Sequence, residues 1–219
     1  MIEIQQHTVN GYRHIPVSYK LLHNNRLTSH LAIMLPGSSY HVEKPLFHYC
    51  TLLYLQKNID VLQINYDYHE RVEVHSSNEL FTAMDCDIQA VLEKVLEERS
   101  YSQFDLIGKS IGTIALAQVL SNPLFAQARC IWLTPLLKRR EVFEAIKECS
   151  QLGYLVIGEK DPNFHSRRFK ALSANSQLMT RYIPNADSSL ENPNDFFKSL
   201  DHLKQTMFDI HQFIKSGDR

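Results

Sequence analysis

The chain has 219 residues, 44% of them hydrophobic, which is enough to bury a sizeable core, and it is read here as one α/β domain over residues 1–219. Lys and Arg number 23 against 24 Asp and Glu, so bulk charge gives no reason to expect nucleic acid, an anionic membrane or a strongly charged partner, and a small neutral substrate fits better. The opening Met1-Ile2-Glu3-Ile4-Gln5-Gln6-His7 lacks the basic stretch and apolar core of a signal peptide, and no apolar run approaches the roughly 20 residues of a bilayer span, so the expected location is the cytoplasm.

Short apolar runs rich in β-branched residues alternate with longer segments of helical period, the pattern of strands feeding crossover helices in a mostly parallel sheet. Residues 2–9 and 15–22, split by Asn10-Gly11, predict an antiparallel hairpin. Strand runs follow at 31–35, 60–66, 104–107, 129–133, 154–157 and 178–183, making a sheet of about eight strands with helices on both faces. Leu80, Met84, Ile88, Val91, Leu92 and Val95 recur at helical steps behind a possible capping box, Ser76-Ser77-Asn78-Glu79. Near the C-terminus Phe196, Leu200, Leu203, Met207, Ile210 and Ile214 repeat that stripe. No repeat, low-complexity tract or Pro/Gly/Ser linker divides the chain, and no insertion is long enough for a large lid.

The densest signal is Gly108-Lys109-Ser110-Ile111-Gly112. It follows the run Phe104-Asp105-Leu106-Ile107 and opens the apolar, helix-like segment 111–120, so the sequence reads strand, sharp turn, helix. A serine on such a turn needs neighbours without side chains, here Gly108 and Gly112, so that backbones can approach closely. Ser110 then faces a helix N-terminus, where free amides and the dipole stabilise developing negative charge. Upstream, residues 31–35 run into Pro36-Gly37-Ser38-Ser39-Tyr40, a glycine turn at a strand end. The amides of Ile111 and Ser38 would together form an oxyanion hole.

Taken in order, Leu35-Pro36-Gly37-Ser38-Ser39, the Ser110 motif, Gly158-Glu159-Lys160-Asp161 and Ala186-Asp187-Ser188-Ser189-Leu190-Glu191 resemble the small, lidless bacterial branch of the α/β-hydrolase family over essentially the whole chain. The resemblance implies a serine hydrolase acting on an ester, thioester or related acyl bond, with Ser110 as nucleophile and Asp161 as the acid that orients an imidazole. The family's histidine falls in a turn reading Ala-Asp-His-Ser-Leu; here Ser188 occupies its place. An unactivated serine hydroxyl is a weak nucleophile, so the alternative is a pseudo-hydrolase that binds a small ligand or protein partner without turnover.

Four histidines fall in loops after strand runs and are candidate substitutes for the base: His41, His69, His75 and His165. His165 would share the loop of Asp161, His202 is expected to be solvated on the C-terminal helix, and His211 flanks that helix's apolar stripe. No metal site is expected. His69 and His75 are six residues apart, so they diverge on a helix, and Cys50, Cys86, Cys130 and Cys149 are widely spaced, as reduced structural thiols are. No phosphate-loop or dinucleotide motif stands at a strand end, and the short basic tract Lys138-Arg139-Arg140 reads as a solvated helix start, so no cofactor is expected.

Overall fold

The computed structural model describes residues 2–66 and 77–216. Eight strands form one sheet: β1 (Glu3–Asn10), β2 (Pro16–His23), β3 (His30–Leu35), β4 (Asp60–Asn65), β5 (Gln103–Lys109), β6 (Arg129–Leu133), β7 (Gly153–Gly158) and β8 (Leu178–Ile183). Their spatial order is β1-β2-β4-β3-β5-β6-β7-β8. β2 is antiparallel to both its neighbours, and every pairing from β4 through β8 is parallel. This is the mostly parallel eight-stranded sheet expected from the sequence.

Parallel strands need crossovers, and five helices among the described residues supply them, α1 (Pro45–Gln56), α2 (Ser77–Glu98), α3 (Gly112–Val119), α4 (Arg140–Glu148) and α5 (Ser166–Leu172), while α6 (Phe196–Ser216) follows the last strand. Because side chains alternate across a strand, β3 sends Leu31, Ile33 and Leu35 into one core and Ala32 and Met34 into the other. The first core is closed by Met84, Ile88, Val91 and Leu92 of α2, Ile114 and Leu116 of α3 and Val142 and Ile146 of α4. The second is closed by Phe47, Cys50 and Tyr54 of α1 and Ile210, Phe213 and Ile214 of α6. Both faces are therefore covered, which explains why β3, β6 and β7 are buried at every position and read as continuous apolar runs.

The first two strands pair as expected, but the connection differs from a two-residue Asn-Gly turn. Asn10 pairs with Pro16, leaving a five-residue link over 11–15 around a 3-10 turn at Tyr12–His14. The Tyr12 amide donates to Asp87 Oδ1 at 2.7 Å, so docking on α2 sets the turn. The anticipated capping box includes Ser76, which lies outside the described residues; Glu79 instead accepts from Arg13 and from the Tyr12 hydroxyl.

At the N-terminal edge of the strands, Arg129 forks onto Asp105 through Nε at 2.6 Å and Nη2 at 2.9 Å, and its Nη1 donates to the Ile214 carbonyl. His30 Nε2 lies 3.3 Å from Asp105 Oδ1. Burial pushes the Asp105 carboxyl up, but the His30 and Arg129 contacts outweigh it and hold the group below the usual carboxylate range. This network ties the end of α6 to the sheet and leaves the opposite, C-terminal edge for the loops that carry Ser38, Ser110, Asp161 and Ser188. No described helix is long and apolar enough to cross a membrane.

Candidate functional site

β5 runs two residues beyond its apolar stretch, through Gly108 and Lys109, and the chain then turns sharply at Ser110, whose φ is 51°. That left-handed conformation is costly for a residue with a Cβ and is held here by its surroundings. The Ser110 amide donates to the Leu133 carbonyl at 3.1 Å, while the Ser110 carbonyl accepts from the Thr113 amide at 3.0 Å and from the Thr113 hydroxyl at 2.6 Å. The elbow is thus fastened to β6 behind and to the first turn of α3 ahead.

Gly112 shows why the flanking position must lack a side chain: a Cβ there would stand 2.0 Å from the Leu35 carbonyl oxygen and 2.7 Å from that of Pro36. The start of α3 crosses directly over the end of β3. This crossing seats the 36–40 turn beside the elbow, and a Cβ on Gly37 would be only 3.3 Å from the Ser110 Cβ. Tyr66 donates its hydroxyl to the Pro36 carbonyl at 2.6 Å, and Gly37 and Tyr40 exchange backbone hydrogen bonds, so the turn is held in place. Among the described residues, the Ser38 and Ile111 amides have no intramolecular acceptor. Both donors belong to the chain segments that adjoin Ser110, the 36–40 turn and the start of α3.

Asp161 and the Ser188 turn are brought together by a second close approach. A Cβ on Gly158 would fall 2.3 Å from the Ala186 carbonyl oxygen and 2.5 Å from that of Asp187. The Lys160 amide donates to Ala186 at 2.8 Å and the Glu159 amide to Ile183 at 2.9 Å, zipping the loop after β7 onto the loop after β8. Asp161 is 5% exposed; its Oδ1 accepts from the Asn163 amide at 2.7 Å and its buried Oδ2 has no protein partner. Burial raises its carboxyl above the usual range. Asp187 organises the neighbouring turn, its Oδ1 accepting from the Ser189 and Glu191 amides at 2.7 and 3.0 Å, and Ser188 is exposed at the tip.

Lys109, to which the sequence motif assigns no role, is the unexpected member. It is 2% exposed, and its Nζ donates to the Ser188 carbonyl at 2.6 Å and to Thr134 Oγ1 at 3.0 Å. The ammonium also lies 4.1 Å from the centroid of the Tyr40 ring. Burial lowers the amine to about 8, against the raising fields of Asp161, Asp187 and Glu191. A lysine two residues after the buried run Phe104-Asp105-Leu106-Ile107 was the available signal, because lysine is almost never fully buried without partners.

The histidines divide. His69 and His75 lie outside the described residues. His41 is exposed, and His165 caps α5, its Nδ1 accepting from the Arg168 amide at 3.4 Å. His202 corrects the expectation of a solvated residue: it is half-buried, with Nδ1 3.2 Å from the Leu190 carbonyl, so α6 braces the 187–191 turn. Among the described residues, no group of three His, Cys, Asp or Glu side chains could hold a metal ion.

No protein-family model matches the chain, and no curated protein matches it in sequence. Solved structures do. An esterase from Pyrococcus furiosus superposes with a TM-score of 0.73 at 12% identity, over 98% of this chain and 93% of that one. The fold is that of the α/β hydrolases. An α/β serine hydrolase homologue from Coxiella burnetii matches with a TM-score of 0.69 at 14% identity, over 94% of this chain and 96% of the other. A lidless α/β serine hydrolase from Xanthomonas campestris gives 0.69 at 15% identity, over 98% and 93%. Coverage is near-complete in both directions.

Proposed function

We propose that the protein is a serine hydrolase of small acyl substrates, cleaving an ester, thioester or related bond at Ser110. The observation that carries this reading is the left-handed Ser110, φ 51°, with the free amides of Ile111 and Ser38 on the segments that adjoin it. A non-glycine residue held in that conformation on a strand-to-helix turn has little structural use, and it presents the hydroxyl where two backbone donors can receive an oxyanion. Attack by the Ser110 oxygen on the acyl carbon moves the carbonyl electrons onto oxygen, where those amides and the start of α3 stabilise the charge. The proton released from the Ser110 hydroxyl passes through solvent to the departing alcohol or thiol as the intermediate collapses to an acyl-enzyme, and water then attacks that ester, releasing the carboxylic acid and returning a proton to the Ser110 oxygen. The esterase and serine hydrolases of the same fold support the assignment. Asp161, on the loop zipped to the Ser188 turn, is the acid of this arrangement.

The second reading, a binding protein built on the same site, rests on one observation: Ser188, a residue that cannot accept the serine's proton at neutral pH, stands exposed at the tip of the turn. Hydrolysis of p-nitrophenyl acetate and butyrate separates the two. The hydrolase reading expects turnover that saturates with substrate and is lost in Ser110→Ala. Hydrolysis equal in wild type and Ser110→Ala would leave the binding reading.

A further inference from the structure

Lys109 sits where the loops of the site converge, and nothing in the serine hydrolase reading above uses it. It belongs to the elbow after β5, yet its Nζ reaches the loop after β6 at Thr134 (3.0 Å), the loop after β8 at the Ser188 carbonyl (2.6 Å) and the turn after β3 at the Tyr40 ring (4.1 Å). An ammonium has three protons to place. Two acceptors and one aromatic face account for all three, and the buried carboxylate of Asp161 contributes an attractive field from the loop after β7, joined by Asp187 and Glu191. The turn after β3 and the loops after β6 and β8 therefore meet at this one cation.

We propose that Lys109 is the positioning residue of this site: its buried ammonium ties the 36–40 and 187–191 turns to the elbow, held there with the Asp161 carboxylate as its electrostatic counterpart. The inference rests on the hydrolase reading for its consequence, the placing of Ser110 and Ser38, but not for its geometry. A lone buried cation would be costly, so the position is tenable because two hydrogen bonds and the Tyr40 ring face take up the ammonium.

The experiment follows the Lys109 side chain by NMR in full-length protein labelled with [13Cε]lysine, in wild type and in Asp161→Asn, alongside fluorophosphonate labelling of Ser110 in wild type and Lys109→Gln. Removing the opposite charge is expected to lower the Lys109 titration midpoint by about one pH unit or more. In Lys109→Gln, the labelling rate is expected to fall by at least about tenfold, with a cooperative melt retained, since a small misplacement of reacting groups is costly. A Lys109 midpoint that is the same in wild type and Asp161→Asn overturns the charge partnership, whatever the labelling shows. Undiminished labelling in folded Lys109→Gln overturns the positioning role. Should Lys109→Gln fail to fold, the comparison of wild type with Asp161→Asn decides alone. A midpoint that falls in a protein whose Ser110 is never labelled supports the partnership and removes the hydrolase reading instead.

Discussion

Replacing Lys109 by methionine should change stability in a way that depends on pH with a definite sign. The amine titrates at 10.5 when free and at about 8 in the fold, where burial lowers it. Below pH 8 both folded and unfolded chains carry the proton, and the native state bears the full cost of the buried charge. Between 8 and 10.5 the unfolded chain still binds a proton that the native state has released, so wild-type stability rises with pH relative to a variant without the group. The pKa difference is about 2.5, and at about 1.36 kcal/mol for each unit the change amounts to about 3 kcal/mol. Urea melts of wild type and Lys109→Met at pH 7, 8, 9, 10 and 10.5 give the difference directly, since other titrating groups are common to both proteins. The expected result is a difference in unfolding free energy that moves by about 3 kcal/mol in favour of wild type across that range. Lost hydrogen bonds to Thr134 and Ser188 shift the whole curve but not its slope. A difference that is flat with pH, or that moves in favour of Lys109→Met, would refute the account of a buried and destabilised cation.

Ser188→His should raise esterase activity by about 100-fold to 10,000-fold, the range a positioned general base contributes, measured with p-nitrophenyl acetate; an inert variant would show that the missing imidazole is not what limits the site. Ser110→Gly should be more stable than Ser110→Ala by about 1 kcal/mol in thermal or urea unfolding, because only glycine adopts φ 51° without steric cost. Asp105→Ala should destabilise by about 3–5 kcal/mol, since it leaves the buried Arg129 charge without its carboxylate. The Asp105 carboxyl is held low in the fold, so its stabilisation is fully present above the free carboxylate pKa of 3.8 and is lost as pH falls through the lower folded value. Acid unfolding monitored by circular dichroism should therefore begin at higher pH in Asp105→Ala than in wild type.

What could be read from the sequence was what periodicity and turn chemistry encode locally. The continuous runs of β3, β6 and β7 mark strands covered on both faces, and the stripes of α2 and α6 mark helices lying on the sheet. The Ser110 elbow was legible because strand, glycines and helix follow one another within a few residues. α1 was not: its buried Leu46, Phe47, Cys50, Thr51, Tyr54 and Leu55 are spread around much of the helix, which weakens the amphipathic signal. The link between β1 and β2 escaped because its shape is set by Asp87, far away in sequence. The same reason hid Lys109. Lysine in a Gly-x-Ser-x-Gly spacer looks like a solvated side chain, and only the loops after β3, β6 and β8, assembled by the sheet, make it a buried one. His202 was misread for a related reason, since its partner, the Leu190 carbonyl, belongs to a turn whose path depends on Gly158 and Asp187.

The central claim is that the elbow presents a reactive serine, and covalent modification tests it most directly. Intact-protein mass spectrometry after incubation with a fluorophosphonate, followed by peptide mapping, should show one adduct per chain, located on Ser110 and absent from Ser110→Ala. An unmodified wild-type protein, under conditions that fully label a control serine hydrolase, would contradict the account.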